Sequence, residues 1–416
     1  MTTTTTQTSV LERFLRYVRI DTQSSGESTS APTTPGQIVL LDVLVDELKA
    51  LGLADARRLP AGCVVATIPA TSRKTVPIVG FLAHVDTSPE ASGTDVKPIV
   101  HRQWNGADLV LPDDPTVVLR ASDHAALRTQ IGNDIVTASG TTLLGADDKA
   151  GVAEIMAATE YLMRHPEIAH GPIRIGFTTD EEVGRGADPF DVAAFGAFCA
   201  YTLDGDDLGK LDIETFSADS MRITFKGFVT HPGTAKGQMI NSIKLAADFI
   251  TRLPRDATSP ETTSGRQGFV HPMAIDAAVD RTSVRFLIRD FETPGLAEKE
   301  AMLERLARET VAAWPGSSVS FELTKSYRNF REVLDQHPAI VENAQEAIRR
   351  AGLTPVSGAI RGGTDGSRLS FMGLPTPNLF TGGHNYHSCV EWVSVHDMEK
   401  AVEVIVQLAR VWEERA

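Results

Sequence analysis

The sequence predicts an α/β fold with a mixed, mostly parallel sheet, into which a separate α+β unit is inserted. Three observations predict it. Apolar runs rich in β-branched residues alternate with amphipathic stretches over roughly the first half of the chain, the order that builds parallel strands with crossover helices. The texture then changes to a block with its own strand and helix pattern and its own turn-rich stretch, ATSPETTSGRQG (257–268). Finally, α/β character resumes after the block. These changes divide the chain into a first part (1–213), an insert (214–324) and a second part (325–416).

The elements follow in order. VLERFLRYVRI (10–20) carries apolar residues at helical spacing. GQIVLLDVLVDELKALG (36–52) does so again and stops at Gly52, a residue that closes helices readily. CVVATIP (63–69) and TVPIVGFLAHVD (75–86) read as strands. KAGVAEIMAATEYLMRH (149–165) reads as an amphipathic helix, and PIRIGFTTD (172–180) and AYTLD (200–204) as strands. The insert reads strand (MRITFKG, 221–227), helix (near 239–253), strand (SVRFLIRDF, 283–291), helix (near 296–313), strand (SVSFELTKSY, 318–327). A helix near 337–351, the strand PTPNLF (375–380) and a long helix from about 396 complete the chain.

A length of 416 residues allows two or three domains. The formal charge of −14 argues against a nucleic-acid partner, since phosphate binding wants a basic surface. Cys63, Cys199 and Cys389 are scattered, odd in number and without a CxxC pair, which speaks against a disulfide framework and for a reducing, cytoplasmic compartment. The start, MTTTTTQ, reads as a frayed tip rather than a secretory signal, and no long apolar stretch predicts a membrane span.

The chemistry gathers at strand ends. One strand ends at His84 and Asp86, a second runs into Glu181 and Glu182, and a third ends at Asp204. In open α/β sheets the functional crevice lies beyond the carboxyl ends of the strands, so residues far apart in sequence meet at one edge. Asp147 and Asp148 open a helix on that same edge if the crossovers keep the usual hand. Each has an ordinary explanation alone: a satisfied His-x-Asp pair, an N-cap with a first-turn carboxylate, a solvated acidic loop. Gathered together, the acids repel one another unless a cation lies between them. Imidazole and carboxylate ligands suit zinc, with manganese or cobalt as substitutes. Two such ions bridged by one carboxylate would leave a neighbouring free carboxylate as general base. The glycine-rich segment IRGGTDGSRLSFMGLPTPNLFTGGHNYH adds His384 and His387, either of which can reach a metal.

The motifs FLAHVDTSP, TLLGADDKAG, FTTDEEVGRGA, YTLDG, THPGTAKG, RGGTDGSRLSFMGLPTPNLFTGG and NYH resemble those of the dinuclear zinc exopeptidases of the carboxypeptidase G2/aminoacylase clan, peptidase family M20. They cover about residues 80 to 390, and THPGTAKG and GGTDG point to its tripeptide-cleaving aminopeptidases. The resemblance implies a zinc-exopeptidase-like domain with a ferredoxin-like lid and two Zn2+ ions. It implies His84, Asp147, Glu182, Asp204 and His387 as ligands, with Asp147 bridging and the Asp147–Asp148 peptide cis. Asp86 would orient His84, and Glu181 would be the general base. In the insert, His231 would reach the oxyanion and Arg289 would clamp a substrate carboxylate, with Asn241 and Arg361 as further substrate contacts. Position 384 departs from the pattern, which has an aromatic there.

The resemblance thus implies a cytoplasmic metallo-aminopeptidase acting on short peptides, a monomer or homodimer. A dipeptidase or N-acyl amino acid hydrolase is the rival of the same fold, and a non-catalytic peptide- or metal-binding protein the rival of another class.

Overall fold

The computed structural model describes residues 8–60 and 62–416; the threonine tip lies outside the described residues. The chain forms two compact units. One runs to Ile213 and resumes over Glu332–Gly358 and Thr364–Ala416; the other comprises Glu214–Arg331 and Ala359–Gly363.

The first unit is built on an eight-stranded sheet, in the order Arg57–Arg58, Val64–Ile68, Ile173–Thr178, Val79–His84, Cys199–Gly205, Asn378–Phe380, Lys210–Thr215, Val356–Ile360. The four strands from Ile173–Thr178 to Asn378–Phe380 pair in parallel. Antiparallel partners flank them, Val64–Ile68 on one side and Lys210–Thr215 on the other. Every residue of Val79–His84 is buried, as expected of a strand covered on both faces.

The helix over Ala146–Arg164 packs on the strands Val79–His84 and Cys199–Gly205, and on the helices Val10–Tyr17 and Val395–Glu414. It is therefore covered almost all round, not amphipathic as its sequence reads, and Lys149, Glu154 and Glu160 are buried with it. Glu160 is paired there with Arg13 at 2.7 Å and Arg164 at 2.6 Å, and Lys149 donates to the Ile20 carbonyl at 2.8 Å. Gly52 follows the helix Pro35–Ala50 with φ 101°, the left-handed stop expected of it. A smaller four-stranded sheet joins Gly383–His384, Trp392–Ser394, Ile135–Thr137 and Ile99–His101, and so holds both ends of the turn that carries His387.

The second unit is a four-stranded antiparallel sheet in the order Phe269–Ala277, Arg281–Asp290, Ser217–Lys226, Ser318–Lys325. The helices Ser242–Thr251 and Thr293–Ala312 pack on it around a core of Ile223, Phe225, Phe249, Phe286, Ile288 and Leu303. The strand Phe269–Ala277 is absent from the sequence reading. It is an edge strand with most residues exposed, and Pro272 interrupts its register, so it carries neither apolar alternation nor a clean run. With it, the order becomes strand-helix-strand-strand-helix-strand, the ferredoxin-like arrangement.

Candidate metal centre

The parallel strands deliver their carboxyl ends to one place in the first unit. His84 is the last residue of its strand and Asp204 the sixth of seven in the next. His84 Nε2 lies 2.9 Å from Asp147 Oδ1 and 3.6 Å from Asp204 Oδ1. On the other side, His387 Nε2 lies 3.4 Å from Asp147 Oδ2 and 3.0 Å from Glu182 Oε2. Ligand-type atoms thus fall into two groups, His84–Asp147–Asp204 and Asp147–Glu182–His387, within each of which they lie inside 4.8 Å. Asp147 belongs to both and turns one oxygen toward each.

The backbone is shaped to allow this. Gly145 has φ 82°, the Asp147–Asp148 peptide is cis, and neither aspartate has helical dihedrals, so the helix is kinked at this pair. Asp148 points elsewhere: it accepts the backbone N–H of His84 at 3.1 Å and of Gly151 at 3.2 Å. His387 has φ 61°, a left-handed conformation uncommon outside glycine.

Three further carboxylates hold the loops. Asp86, fully buried, accepts the N–H groups of Glu181 at 3.0 Å and Glu182 at 3.1 Å. Its backbone carbonyl, more than its carboxylate, faces the His84 ring: Nδ1 is 3.0 Å from the carbonyl and 3.4 Å from Oδ1. Glu391 accepts the N–H groups of Leu144 (2.6 Å), Gly145 (2.8 Å) and Asp147 (3.1 Å). Glu90 lies 3.1 Å from His387 Nδ1.

The electrostatics are those of a site organised around positive charge. Burial opposes protonation of His84, but Asp147, Asp204 and Asp86 outweigh it and raise the imidazole well above its ordinary value. Asp147 and Glu182 push His387 up to about 11. Burial works to raise Asp147, yet the two imidazoles hold it well below the carboxylate range. Burial, then Asp147, lift Asp204 and Glu182 to about 7 each. Glu182 Oε1 is buried without a hydrogen-bond partner. Burial likewise raises Glu181 well above its ordinary value.

A family model described as peptidase family M20/M25/M40 matches residues 133–411. The chain belongs to this peptidase family. It is accordingly a hydrolase, and the chain is 47% identical over 406 residues to Peptidase T of Geobacillus thermodenitrificans, covering 98% of each chain. Among solved structures it superposes on the aminopeptidase PepT of Bacillus cereus with a TM-score of 0.76 at 23% identity, covering 98% of this chain and 99% of that one. A tripeptidase of Staphylococcus aureus gives 0.78 at 22% identity with the same coverage. These two likenesses show the shared fold of the M20 peptidases, a mixed α/β architecture.

The residues fit a pair of divalent ions. The orphaned Glu182 Oε1, the two donor groups sharing one carboxylate, and the mixture of imidazole and carboxylate suit first-row divalent metals. His384 belongs to neither group. It stacks on Trp392, ring centroids 4.3 Å apart at 23°, and burial lowers its pKa. The two histidines left open by their shared loop are thus separated by geometry.

The remaining candidates lie in the second unit. His231 is exposed and accepts the Gly233 N–H through Nδ1 at 3.2 Å. Asn241 caps the helix Ser242–Thr251 by accepting from Ile243 N at 2.9 Å. Arg289 lies 4.9 Å above the Tyr327 ring with Nη1 buried and unpartnered, and burial lowers its pKa to about 10. Arg361 donates to the carbonyls of Gly265 (2.6 Å) and Gln267 (2.9 Å) and to Thr263 Oγ1 (3.0 Å), and covers the Phe216 ring. Its guanidinium is committed to its own unit.

The sequence reading missed Asp365, Glu90 and the anchoring roles of Asp180 and Glu391. Asp365 is buried, accepts from Thr178 Oγ1 at 2.7 Å, and is pushed up to about 6 by burial. It lies inside the quoted GGTDG motif, the one signal that could have found it.

Proposed function

We propose that this chain is a cytoplasmic aminopeptidase that removes the N-terminal residue from tripeptides, using two Zn2+ ions. The observation that carries the reading is the bridging geometry of Asp147 between two complete ligand groups. The names of its relatives, an aminopeptidase and a tripeptidase among them, support the substrate class. Among the described residues no helix is long and apolar enough to cross a membrane.

His84, Asp147 and Asp204 would hold one ion and Asp147, Glu182 and His387 the other, with Glu90 fixing the tautomer of His387 so that Nε2 faces inward. When bound, the ions would supply Lewis acidity toward the scissile carbonyl and lower the pKa of water. Glu181 takes the proton of the attacking water and returns it to the leaving amine, a task suited to a carboxyl whose pKa burial has raised. Asp86 holds Glu181 and Glu182 at fixed spacing through their N–H groups. In the second unit, Arg289, whose Nη1 has no hydrogen-bond partner, would offer its guanidinium to a substrate carboxylate, and His231 and Asn241 would offer further contacts, His231 to the oxyanion. Arg361 serves as a brace of its loop.

The test is a panel of free di-, tri- and tetrapeptides and N-acetylated peptides with the zinc-loaded enzyme. Free tripeptides should be cleaved fastest and acetylated ones left intact. Equal cleavage of blocked peptides would replace this reading by an N-acyl hydrolase. Glu181→Ala should keep its metal yet lose about 10²- to 10⁴-fold in kcat; full activity would rule out the assigned base.

A further inference from the structure

We propose that Asp180, acting with Thr33 and Gln37, is a positioning residue that sets the Glu181 carboxylate, so that the segment Gly26–Thr33 is a working part of the centre. The proposal rests on the reading of Glu181 as general base.

An aspartate that precedes a helical turn ordinarily accepts the first N–H groups of that turn. Asp180 precedes the short turn Glu181–Val183 but caps nothing in it. Asp86 has taken the N–H groups of Glu181 and Glu182 instead. The Asp180 carboxylate is thereby free to face the other way. It accepts the Thr33 N–H at 2.9 and 3.0 Å, the Thr33 hydroxyl, and Gln37 Nε2 at 2.7 Å. The exchange is reciprocal, since Gln37 Oε1 accepts the Asp180 N–H at 3.1 Å. Asp180, Thr33 and Gln37 are 3%, 5% and 0% exposed, so water does not compete for these bonds.

The other side of the turn is tied to the same segment. Arg185 N donates to the Asp180 carbonyl at 2.9 Å, and its guanidinium reaches the carbonyls of Ser28 at 2.6 Å and Gly26 at 3.3 Å. Thr33 in turn accepts the Ser25 N–H at 3.1 Å. The base therefore sits on a four-residue turn whose two flanks are both anchored to one loop. Asp180 has φ 62°, a conformation that non-glycine residues keep only where their surroundings over-determine it. The bonds to Thr33 and Gln37 supply that determination. Glu182 has a separate anchor in His387, so loosening this strap should disturb the base more than the metal ligand.

The experiment compares Asp180→Ala, Asp180→Asn, Thr33→Val and the Asp180→Ala/Thr33→Val double variant in the zinc-loaded enzyme. Metal content, kcat and KM on a free tripeptide, and amide exchange over residues 181–185 are measured together. A misplacement of the base should lower kcat of Asp180→Ala by about 10- to 100-fold, with KM within about twofold and metal content unchanged. Asp180→Asn, which still accepts from Thr33, should recover part of the loss. The double variant should be no worse than Asp180→Ala, and the 181–185 amides should exchange faster. Thr33→Val removes the hydroxyl that donates to Asp180 and accepts from Ser25, leaves the Thr33 N–H bonded to Asp180, and keeps the test in play if Asp180→Ala does not fold. Wild-type kcat in Asp180→Ala, losses that multiply in the double variant, or a loss accounted for by missing metal would each overturn the proposal. Failure of the wild type to cleave peptides would instead overturn the assignment of Glu181, and unchanged amide exchange in Asp180→Ala would then still decide against the strap.

Discussion

His84 Nε2 and Asp147 Oδ1 stand 2.9 Å apart, a hydrogen-bonded pair occupying positions where two ligands of one ion would face each other. A proton shared between them would occupy the place the proposed ion takes. With His84 raised well above its ordinary pKa and His387 pushed up to about 11, both rings carry protons at neutral pH before metal arrives. Metal binding must displace them. Zinc uptake by the metal-free protein at pH 7 should therefore release at least two protons, one from each imidazole and a further fraction from Asp204 and Glu182, which burial lifts to about 7, and affinity should fall as pH is lowered. Calorimetry in buffers of different ionisation enthalpy reads the number directly. Uptake without proton release would contradict the assignment of the two histidines.

Asp86 holds two adjacent N–H groups with one carboxylate. Replacing it by alanine leaves two part-buried donors without a partner and should cost about 2–6 kcal/mol of stability, at about 1–3 kcal/mol for each orphaned group. Because the affected residues are Glu181 and Glu182, kcat should fall by about 100-fold as well. A thermal melt beside steady-state kinetics checks both, and a stable variant with normal kcat would show that the turn holds itself.

Glu391 ties the bridging loop to the turn that carries His387. Its three backbone donors come from Leu144, Gly145 and Asp147. Glu391→Ala should weaken zinc binding by about 10- to 100-fold, the size typical of losses outside the ligand set. Competition with a chelating dye measures it. An unchanged affinity would mean that the loop keeps its shape without Glu391.

Glu154 is buried in the central helix with both oxygens unpartnered, and burial raises its pKa well above the ordinary value. The folded carboxyl keeps its proton while the unfolded one loses it near pH ~4.3. Folding therefore takes up a proton, and wild-type stability declines as pH rises from that value toward the folded pKa. Glu154→Gln removes the decline, by about 1.4 kcal/mol for each pH unit of delayed titration. The variant should match the wild type near pH 4 and melt higher at pH 8. Equal melting temperatures at pH 8 would show that the side chain finds a partner.

Much of the candidate centre was legible because its residues sit at strand ends. His84 and Asp204 close apolar β-branched runs, and Glu181 follows another, so the topology of a parallel sheet brings them together without any long-range information. The anchors were not legible for the opposite reason. Glu391, Asp180 and Asp86 bond to the backbones of loops distant in sequence, and no spacing near each residue reports that partner. The edge strand Phe269–Ala277 and the two- and three-residue strands around His384 and Trp392 form only by tertiary pairing, so local pattern is silent about them. Even the helix Ala146–Arg164 misled: its apolar content reflects cover almost all round, and its kink at Asp147 and Asp148 left no trace in the apolar pattern.

A centre built on a shared carboxylate fixes its metal stoichiometry. Native mass spectrometry of the zinc-reconstituted chain should count two ions, and Asp147→Ala should lose both, because its two oxygens belong to both groups. One ion in the wild type, or a variant that retains an ion at full affinity, would contradict a centre built on a shared Asp147.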